Sequence, residues 1–530
     1  MHKYLLGIDI GSGACKITLI DSCVKDGVET CDKGSLKRTG AGRAQRFLHA
    51  RTLSGEYKTY YPRPGWAEQD SAEWLKCVSS LIRGVLSEGD INPADIIAVC
   101  LSGVTHSPVL LDAKRNVIGK VIHITDSRSI SQSNELKKYN EDFMKRCFNP
   151  VSPLWTISVL KWVSEEEPDM WQKIRKVIFP KDYIRYKLTG EIATDEIDAE
   201  GTLFFDPVRK TWIDDFLKLI GLKTEYLPEI LKPADKAGTI TAEGQAWTGL
   251  KKGTPVYAGT TDTLLEILAA GNLKPGDCTV KLATFGRICV LADKPLSAEG
   301  LITYSYLIPG IWYPGTGTKS CAASYRWLRD EFYREHKKIN SRGKKDNIFE
   351  KMDMEASGII AGSEGLIFHP YLLGEGSPYN DSRLRGDFLG ISLHHRREHF
   401  ARAVLEGTCL SLLDSMNLIK KMGIKINRIL KFIGGGSGSR LWTGILADVL
   451  GHCAVVPAGA DASFGAAMLA GISAGLYETV EEAVRINVKA AREIEFNRDN
   501  NRLYRKKFDI YKKSKEQLTE IYHSMKEDFI

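Results

Sequence analysis

One aspartate in this chain stands where a proton acceptor would be useful, between a short apolar run and an amphipathic stretch. It is Asp262, in Gly259-Thr260-Thr261-Asp262-Thr263-Leu264-Leu265-Glu266-Ile267-Leu268-Ala269-Ala270-Gly271. Pro255 to Ala258 suit a strand, and Leu264, Leu265, Ile267 and Leu268 suit the buried face of a helix stopped by Gly271. A carboxylate at a helix start feels the positive end of the dipole and tends to stay ionised, as a general base must. The same residues also read as plain helix chemistry, with Thr263 and Glu266 at capping-box spacing and Asp262 a favourable acid in the first turn.

Other groups with chemical potential sit in small-residue turns. Asp9 ends an apolar run, Tyr4 to Ile10, ahead of Gly11-Ser12-Gly13; Ala14 to Ile20 then returns with Cys15, Ile17 and Leu19 on one face. Such a hairpin tip can bring backbone N–H groups to phosphate oxygens, while Asp9 can hold a hydrated Mg²⁺ and Lys16 can offset charge. An ordinary turn with a solvated lysine is the plainer reading. Thr105 and His106 lie in a turn after the strand-like Ile96 to Leu101, and Asp126 with Arg128 in a turn after Val121 to Ile124. Either turn could be a loop and no more. Leu430 to Ile433 runs into Gly434-Gly435-Gly436-Ser437 and then a helix patterned on Leu441, Trp442, Ile445, Leu446, Val449 and Leu450. A strand, three glycines and a helix N-terminus make an anion or nucleotide site, or a flexible loop.

The elements that must position these groups fall into two similar halves. Cys278 to Ala283, the turn Thr284-Phe285-Gly286 and Arg287 to Ala292 repeat the strand, turn and strand of residues 4 to 20. Pro62 to Asp70 is a loop leading into a helix capped by Asp70 or Ser71, Lys181 to Gly190 reads as a helix with a glycine stop, and the charged tail after Glu481 as a surface helix. A composition break over Trp247 to Thr254 places the domain boundary at 252/253, giving domains 1–252 and 253–530.

A chain of 530 residues has room for two domains. The excess of 73 Lys+Arg over 66 Asp+Glu, net +7, is mild and forms no basic block; it does not argue for nucleic acid, which is not expected as a partner, and it would suit an anionic small substrate. Eleven cysteines without a CxxC pair speak for a reducing compartment, the cytoplasm by default, and against a disulfide or structural zinc framework. No apolar run approaches the roughly 20 residues of a membrane span, and Asp9 breaks the N-terminal one, so neither a signal peptide nor a membrane partner is expected.

Taken together these pieces resemble the FGGY family of carbohydrate kinases over nearly the whole chain. Gly386-Asp387-Phe388-Leu389-Gly390-Ile391, seven residues, then His399-Phe400-Ala401-Arg402-Ala403-Val404-Leu405-Glu406 is similar to the family's C-terminal signature. Pro64 to Asp70, Lys181 to Gly190, Pro370 to Glu375 and Gly434 to Trp442 support it. The resemblance implies an α/β fold of two RNase-H-like, actin-like ATPase domains flanking a central cleft. The implied activity is ATP-dependent phosphorylation of a hydroxyl of a small sugar, a pentulose such as xylulose first. Another ketose, a polyol or a sugar acid is the alternative, as is a catalytically silent sugar binder. ATP, Mg²⁺ and the sugar are the implied ligands, and a homodimer stays open.

The resemblance also assigns roles. It places the base at Asp262, the metal at Asp9, sugar contacts at Thr105, His106, Asp126 and Asp262, and nucleotide contacts at Gly11, Ser12, Lys16, Thr284, Gly286, Gly435 and Gly436. The sugar side departs from the pentulose pattern. Val104-Thr105-His106-Ser107 stands for Gln-Met-His-Gly, Asp262-Thr263 for Asp-Asn, Ile124-Thr125-Asp126 for Trp-Asn-Asp, and Val159 for a lysine ahead of Trp162. Phe285 replaces the middle residue of the usual Thr-Ser-Gly turn. The expectation is a retained catalytic frame with an altered sugar pocket.

Overall fold

The computed structural model describes residues 2–22, 45–47, 50–334 and 347–529, with side chains for all but 45–47 and 526–529. They form two compact units. The first comprises Met1–Leu273, Tyr304–Gly310 and Gly459–Val488, and the second Lys274–Thr303, Ile311–Ala458 and Lys489–Ile530.

The first unit is built on a mixed sheet. Tyr4–Ile10, Ala14–Asp21 and Ala50–Glu56 run antiparallel in succession, because three glycine-rich or polar residues suffice to turn the first pair. Ile96–Gly103 then joins the other side of Tyr4–Ile10 in parallel, and Pro255–Thr261 joins Ile96–Gly103, again in parallel. Parallel neighbours need crossovers, and helices supply them. One is Ser71–Gly89, capped by the Asp70 carboxylate on the Ala72 amide, whose Trp74, Val78, Leu81, Ile82 and Val85 are buried.

The expected boundary at 252/253 therefore falls inside this unit. Pro255–Thr261 hydrogen-bonds as an interior strand of the first sheet, so the Asp262 stretch belongs to the first unit. Composition signals a loop at Trp247 to Thr254, but a loop between two strands of one sheet has the same composition as a linker. A second departure comes from far along the chain. The helix Ala462–Ser473 packs on Tyr4–Ile10, and Gly7 makes room for it: a Cβ there would lie 1.9 Å from the Ser463 carbonyl oxygen.

The second unit repeats the topology. Cys278–Leu282, Gly286–Val290 and Trp312–Thr318 are antiparallel, Ile429–Ile433 lies parallel to Cys278–Leu282, and Cys453–Pro457 parallel to Ile429–Ile433. Its central helix, Arg397–Lys421, is buried along most of its length. Around that helix, Glu406 binds Arg402, Lys507 and Tyr504, which ties in the C-terminal helix Arg498–Phe529. No helix among the described residues is long and apolar enough to cross a membrane.

Candidate active site

In the first sheet three parallel strands end side by side. Ile10 pairs with Gly103, and Gly103 with Thr261. Each strand leads directly into a stretch singled out from sequence: the Gly11–Gly13 turn, the Val104–Ser107 turn, and Asp262. The carboxyl ends of adjacent parallel strands are where α/β sheets build their sites, because loops there converge while the strands stay fixed.

Asp262 is the first residue of the helix Asp262–Ala269 and is half-buried. The cap is Thr261, whose hydroxyl accepts from the Leu264 amide, so the cap lies two residues ahead of the expected Thr263. One carboxylate oxygen, Oδ1, accepts the Thr263 amide at 2.5 Å and its hydroxyl at 3.2 Å. Just before it the chain kinks at Gly259, where φ is +71° and a Cβ would lie 1.8 Å from the Leu101 carbonyl. Only glycine fits such an approach.

Asp9 is buried on Tyr4–Ile10, on the far side of Ile96–Gly103 from Pro255–Thr261, with Oδ1 accepting the Ser102 hydroxyl at 2.8 Å. Burial raises its carboxyl to about 7, helped by the charges of Asp262 and Asp461 and opposed by Lys16 and the Ser102 hydroxyl. Lys16 Nζ lies 3.6 Å from Asp461 Oδ2. Three carboxylates thus share one neighbourhood with a single lysine among the groups acting on Asp9. Sequence reasoning missed Asp461, which reaches the site as the N-cap of Ala462–Ser473, its carboxylate accepting from the Phe464 amide.

The hairpin tip is held from behind. Tyr57 donates its hydroxyl to the Gly11 carbonyl, and Gln69 Nε2 and His123 Nε2 donate to the Ser12 carbonyl at 2.7 and 2.8 Å. Ser12 and Gly13 are exposed. His123 is largely buried, which pulls its ring below the usual histidine range and favours the neutral form that this arrangement uses.

The expected sugar residues are placed differently from one another. His106 has φ +71° and is buried. Its Nδ1 lies 3.0 Å from the Gly201 carbonyl, which can only accept, so Nδ1 carries the proton and Nε2 accepts the Tyr304 hydroxyl at 3.2 Å. Trp155 packs edge-on against the ring at 4.8 Å. Tyr304 belongs to the segment 304–310 and is not legible from sequence as a site residue. Thr105 is buried beside His106. The Asp126 carboxylate accepts from the Ala67 amide at 2.6 Å and from the Arg128 amide and guanidinium at 2.8 to 3.0 Å. Arg128 in turn binds Glu68 and covers the Trp66 ring at 3.7 Å. With its lone pairs so occupied, what Asp126 visibly does is fix Arg128 and the Pro64–Asp70 loop.

In the second unit, two turns occupy the positions equivalent to Gly11–Gly13 and Val104–Ser107. After Cys278–Leu282 comes the turn with Thr284, whose hydroxyl accepts from Arg326 Nη2 at 2.8 Å and whose carbonyl accepts the Cys321 amide at 3.0 Å. Gly286 is buried, and a Cβ there would meet Thr318 at 2.8 Å. After Ile429–Ile433 comes the tight turn Gly435–Gly438, then the helix Arg440–Leu450 capped by Ser439. Gly435 is exposed with nothing within 4 Å of a Cβ, whereas a Cβ on Gly436 would lie 2.7 Å from the Trp442 ring and 2.8 Å from Leu282. The two glycines, expected to serve the nucleotide alike, differ: Gly436 is required by packing.

Among the described residues no group of three or more His, Cys, Asp or Glu is arranged to hold a metal by itself.

The N-terminal domain model of the FGGY family of carbohydrate kinases matches residues 48–269, and the C-terminal domain model matches residues 287–474. A xylulose kinase of Bacillus subtilis is 28% identical over 514 residues, covering 96% of this chain and 96% of its own. A gluconokinase of the same species is 27% identical over 485 residues, covering 90% of this chain and 88% of its own. The crystal structure of xylulose kinase from Rhodospirillum rubrum superposes with a TM-score of 0.81 at 26% identity, covering 98% of this chain and 100% of that one. The chain belongs to the FGGY family of carbohydrate kinases. It is an ATP-dependent sugar kinase with the two-domain α/β fold of the actin-like ATPase type.

Proposed function

We propose that the acceptor is a small ketose, D-xylulose first, and that Asp262 is the general base. A sugar hydroxyl attacks the γ-phosphorus well only as its proton leaves, and the half-buried Asp262 carboxylate at a helix start is suited to take it. The observation that carries the reading is that Asp262, Asp9 and the Gly11–Gly13 turn lie at the same end of the sheet, on strands that flank Ile96–Gly103, with the Asp262 charge acting on Asp9. Asp9 would hold Mg²⁺. Its burial among carboxylate charges fits a divalent cation that brings its own water and phosphate oxygens, as Mg²⁺ does. Mg²⁺ supplies neutralisation of phosphate charge when bound. Lys16 and the amides of the Gly11–Gly13 turn, with Thr284 and Gly435 in the second unit, are our candidates for contact with the nucleotide; His106, oriented by Gly201 and Tyr304, is our candidate wall of the sugar pocket. A cytoplasmic location belongs to the same reading.

A sugar acid is the second reading. The gluconokinase relative favours it, and Thr105, Thr125 and Thr263 stand where pentulose kinases usually differ. Rejection of a mismatched hydroxyl pattern can reach about 10⁴-fold, so a few such changes suffice to redirect choice. The test is kcat/KM for D-xylulose, D-ribulose, D-gluconate, glycerol and L-rhamnulose with ATP. D-xylulose ahead of every other compound supports the first reading, and D-gluconate ahead replaces it with the second. For the base, Asp262→Ala should lower kcat by about 10²–10⁴-fold while ATP still binds. Retention of more than roughly a third of turnover removes Asp262 from that role.

A further inference from the structure

The helix Pro180–Thr189 carries charged side chains where a helix of a soluble protein normally carries leucine. Lys181, Asp182 and Arg185 have at most 1% of their surface exposed, and Asp195 and Asp198 have none. Lys181 Nζ lies 2.6 Å from Asp182, 2.8 Å from Asp195 and 3.1 Å from Asp198. Arg185 Nη1 lies 2.8 Å from Asp182. Burial pushes the Asp198 carboxyl well above the usual carboxylate range. Desolvating such a cluster costs several kcal/mol per ion, and apolar residues of equal volume are often at least as stabilising. Stability alone therefore gives no reason for it.

The outward bonds of the cluster give one. Arg185 Nη1 donates to the Ala258 carbonyl at 2.9 Å, and the Thr260 hydroxyl donates to Asp195 Oδ1 at 2.8 Å. Ala258 and Thr260 flank Gly259, the positive-φ kink where the register of Pro255–Thr261 with Ile96–Gly103 shifts. Asp195 is itself immobilised, by Lys181 and by the amides of Ile197 and Asp198. The kink is thus clamped on both sides to a rigid ionic block, three residues before Asp262.

We propose that Asp195, acting through Thr260, and Arg185, acting through Ala258, are positioning residues that fix where the strand ends and hence where the Asp262 carboxylate stands. The proposal rests on the reading of Asp262 as the base. Glycine at 259 gives the strand end a freedom of φ that no side chain limits, and the clamp removes it. A displacement of order 1 Å at a reacting group can cost about 10²-fold in rate.

Thr260→Val is nearly isosteric and deletes the hydroxyl; Thr260→Ser keeps it. These, Asp262→Ala and the wild type are compared with ATP and D-xylulose, or with D-gluconate should that be the better acceptor. The expected result is that Thr260→Val lowers kcat about tenfold or more with the ATP KM within about twofold, and that Thr260→Ser recovers at least about half of kcat. A purely structural role would lower the melting temperature and leave kcat of the folded protein and its recovery by serine unexplained. A loss in kcat under about threefold, or one that Thr260→Ser does not recover, overturns the proposal. Should Thr260→Val not fold, Asp195→Asn carries the same kcat and KM criteria. An active Asp262→Ala removes the base and this proposal with it, whereas an inactive Asp262→Ala beside a fully active Thr260→Val removes this proposal alone.

Discussion

Gly435 and Gly436 are adjacent and chemically identical, yet a branched side chain should do different things at each. At Gly435 there is open space, so Gly435→Val should fold and melt like the wild type while raising the ATP KM severalfold, if adenosine lies against that backbone. At Gly436 the added atoms meet the Trp442 ring and Leu282, and overpacking of that kind costs about 1–3 kcal/mol. Gly436→Val should therefore show first as a lower urea midpoint. Steady-state kinetics and urea unfolding of both variants separate the two effects, and an unchanged ATP KM in Gly435→Val would take the nucleotide away from this turn. Which of two glycines is packing and which is open cannot be read from Gly-Gly-Gly, because the ring that decides it is Trp442, on the next helix. Asp9 and Asp262 are legible for the opposite reason. Each sits at a strand end that its own neighbours in sequence announce.

Glu375 shows how a single group ties elements together. It is fully buried, with Oε1 accepting the Lys319 and Gly376 amides and Oε2 accepting the Thr318 and Ser411 hydroxyls, so it links the end of Trp312–Thr318 to Arg397–Lys421. Burial raises its carboxyl from 4.5 to about 7 against those hydrogen bonds. The direction of the pH effect is therefore fixed. A carboxyl that holds its proton more tightly when folded makes the folded state lose stability as pH rises from the unfolded value through about 7, where the loss is complete. Glu375→Gln keeps the size and removes the titration. Its urea midpoint should fall less between pH 5 and 8 than that of the wild type, by roughly the span one such group contributes. Parallel pH curves would show that Glu375 does not titrate in that window. Sequence gives Glu375 a place in the Pro370 to Glu375 run but no burial, and the helix Lys181 to Gly190 poses the same difficulty. Its start and its glycine stop are legible, with Gly190 at φ +80°. Its charged face passes for a solvated one until the strands around it are known.

On the scale of the molecule, neither unit is a continuous stretch of chain. The first borrows Tyr304–Gly310, which brings Tyr304 to His106, and Gly459–Val488, which brings Asp461 to Lys16. A fragment ending at Leu273 keeps the sheet and loses the Ala462–Ser473 helix that covers it. We expect residues 1–273 alone to aggregate or to melt without a cooperative transition, and the same fragment with residues 459–488 attached by a flexible linker to recover one, as monitored by circular dichroism. A fragment 1–273 that melts as sharply and as high as the whole chain would show that the borrowed segments are dispensable. The two-fold repeat of strands is legible because it is local, hairpin by hairpin. The borrowing is not, since nothing in Gly459 to Val488 records which sheet it will cover.

That helix also sets a timetable. It ends at Ser473, 212 residues after Thr261 (473 − 261), so at about 5–20 residues per second a ribosome takes roughly 10 to 40 s to deliver it after the first sheet's last strand has emerged. For that interval the face of Tyr4–Ile10 that carries Leu5 and Gly7 waits on a nascent chain for a partner not yet made. Slower translation, or a stop codon between Lys274 and Ala458, prolongs or perpetuates a state that holding chaperones must shield.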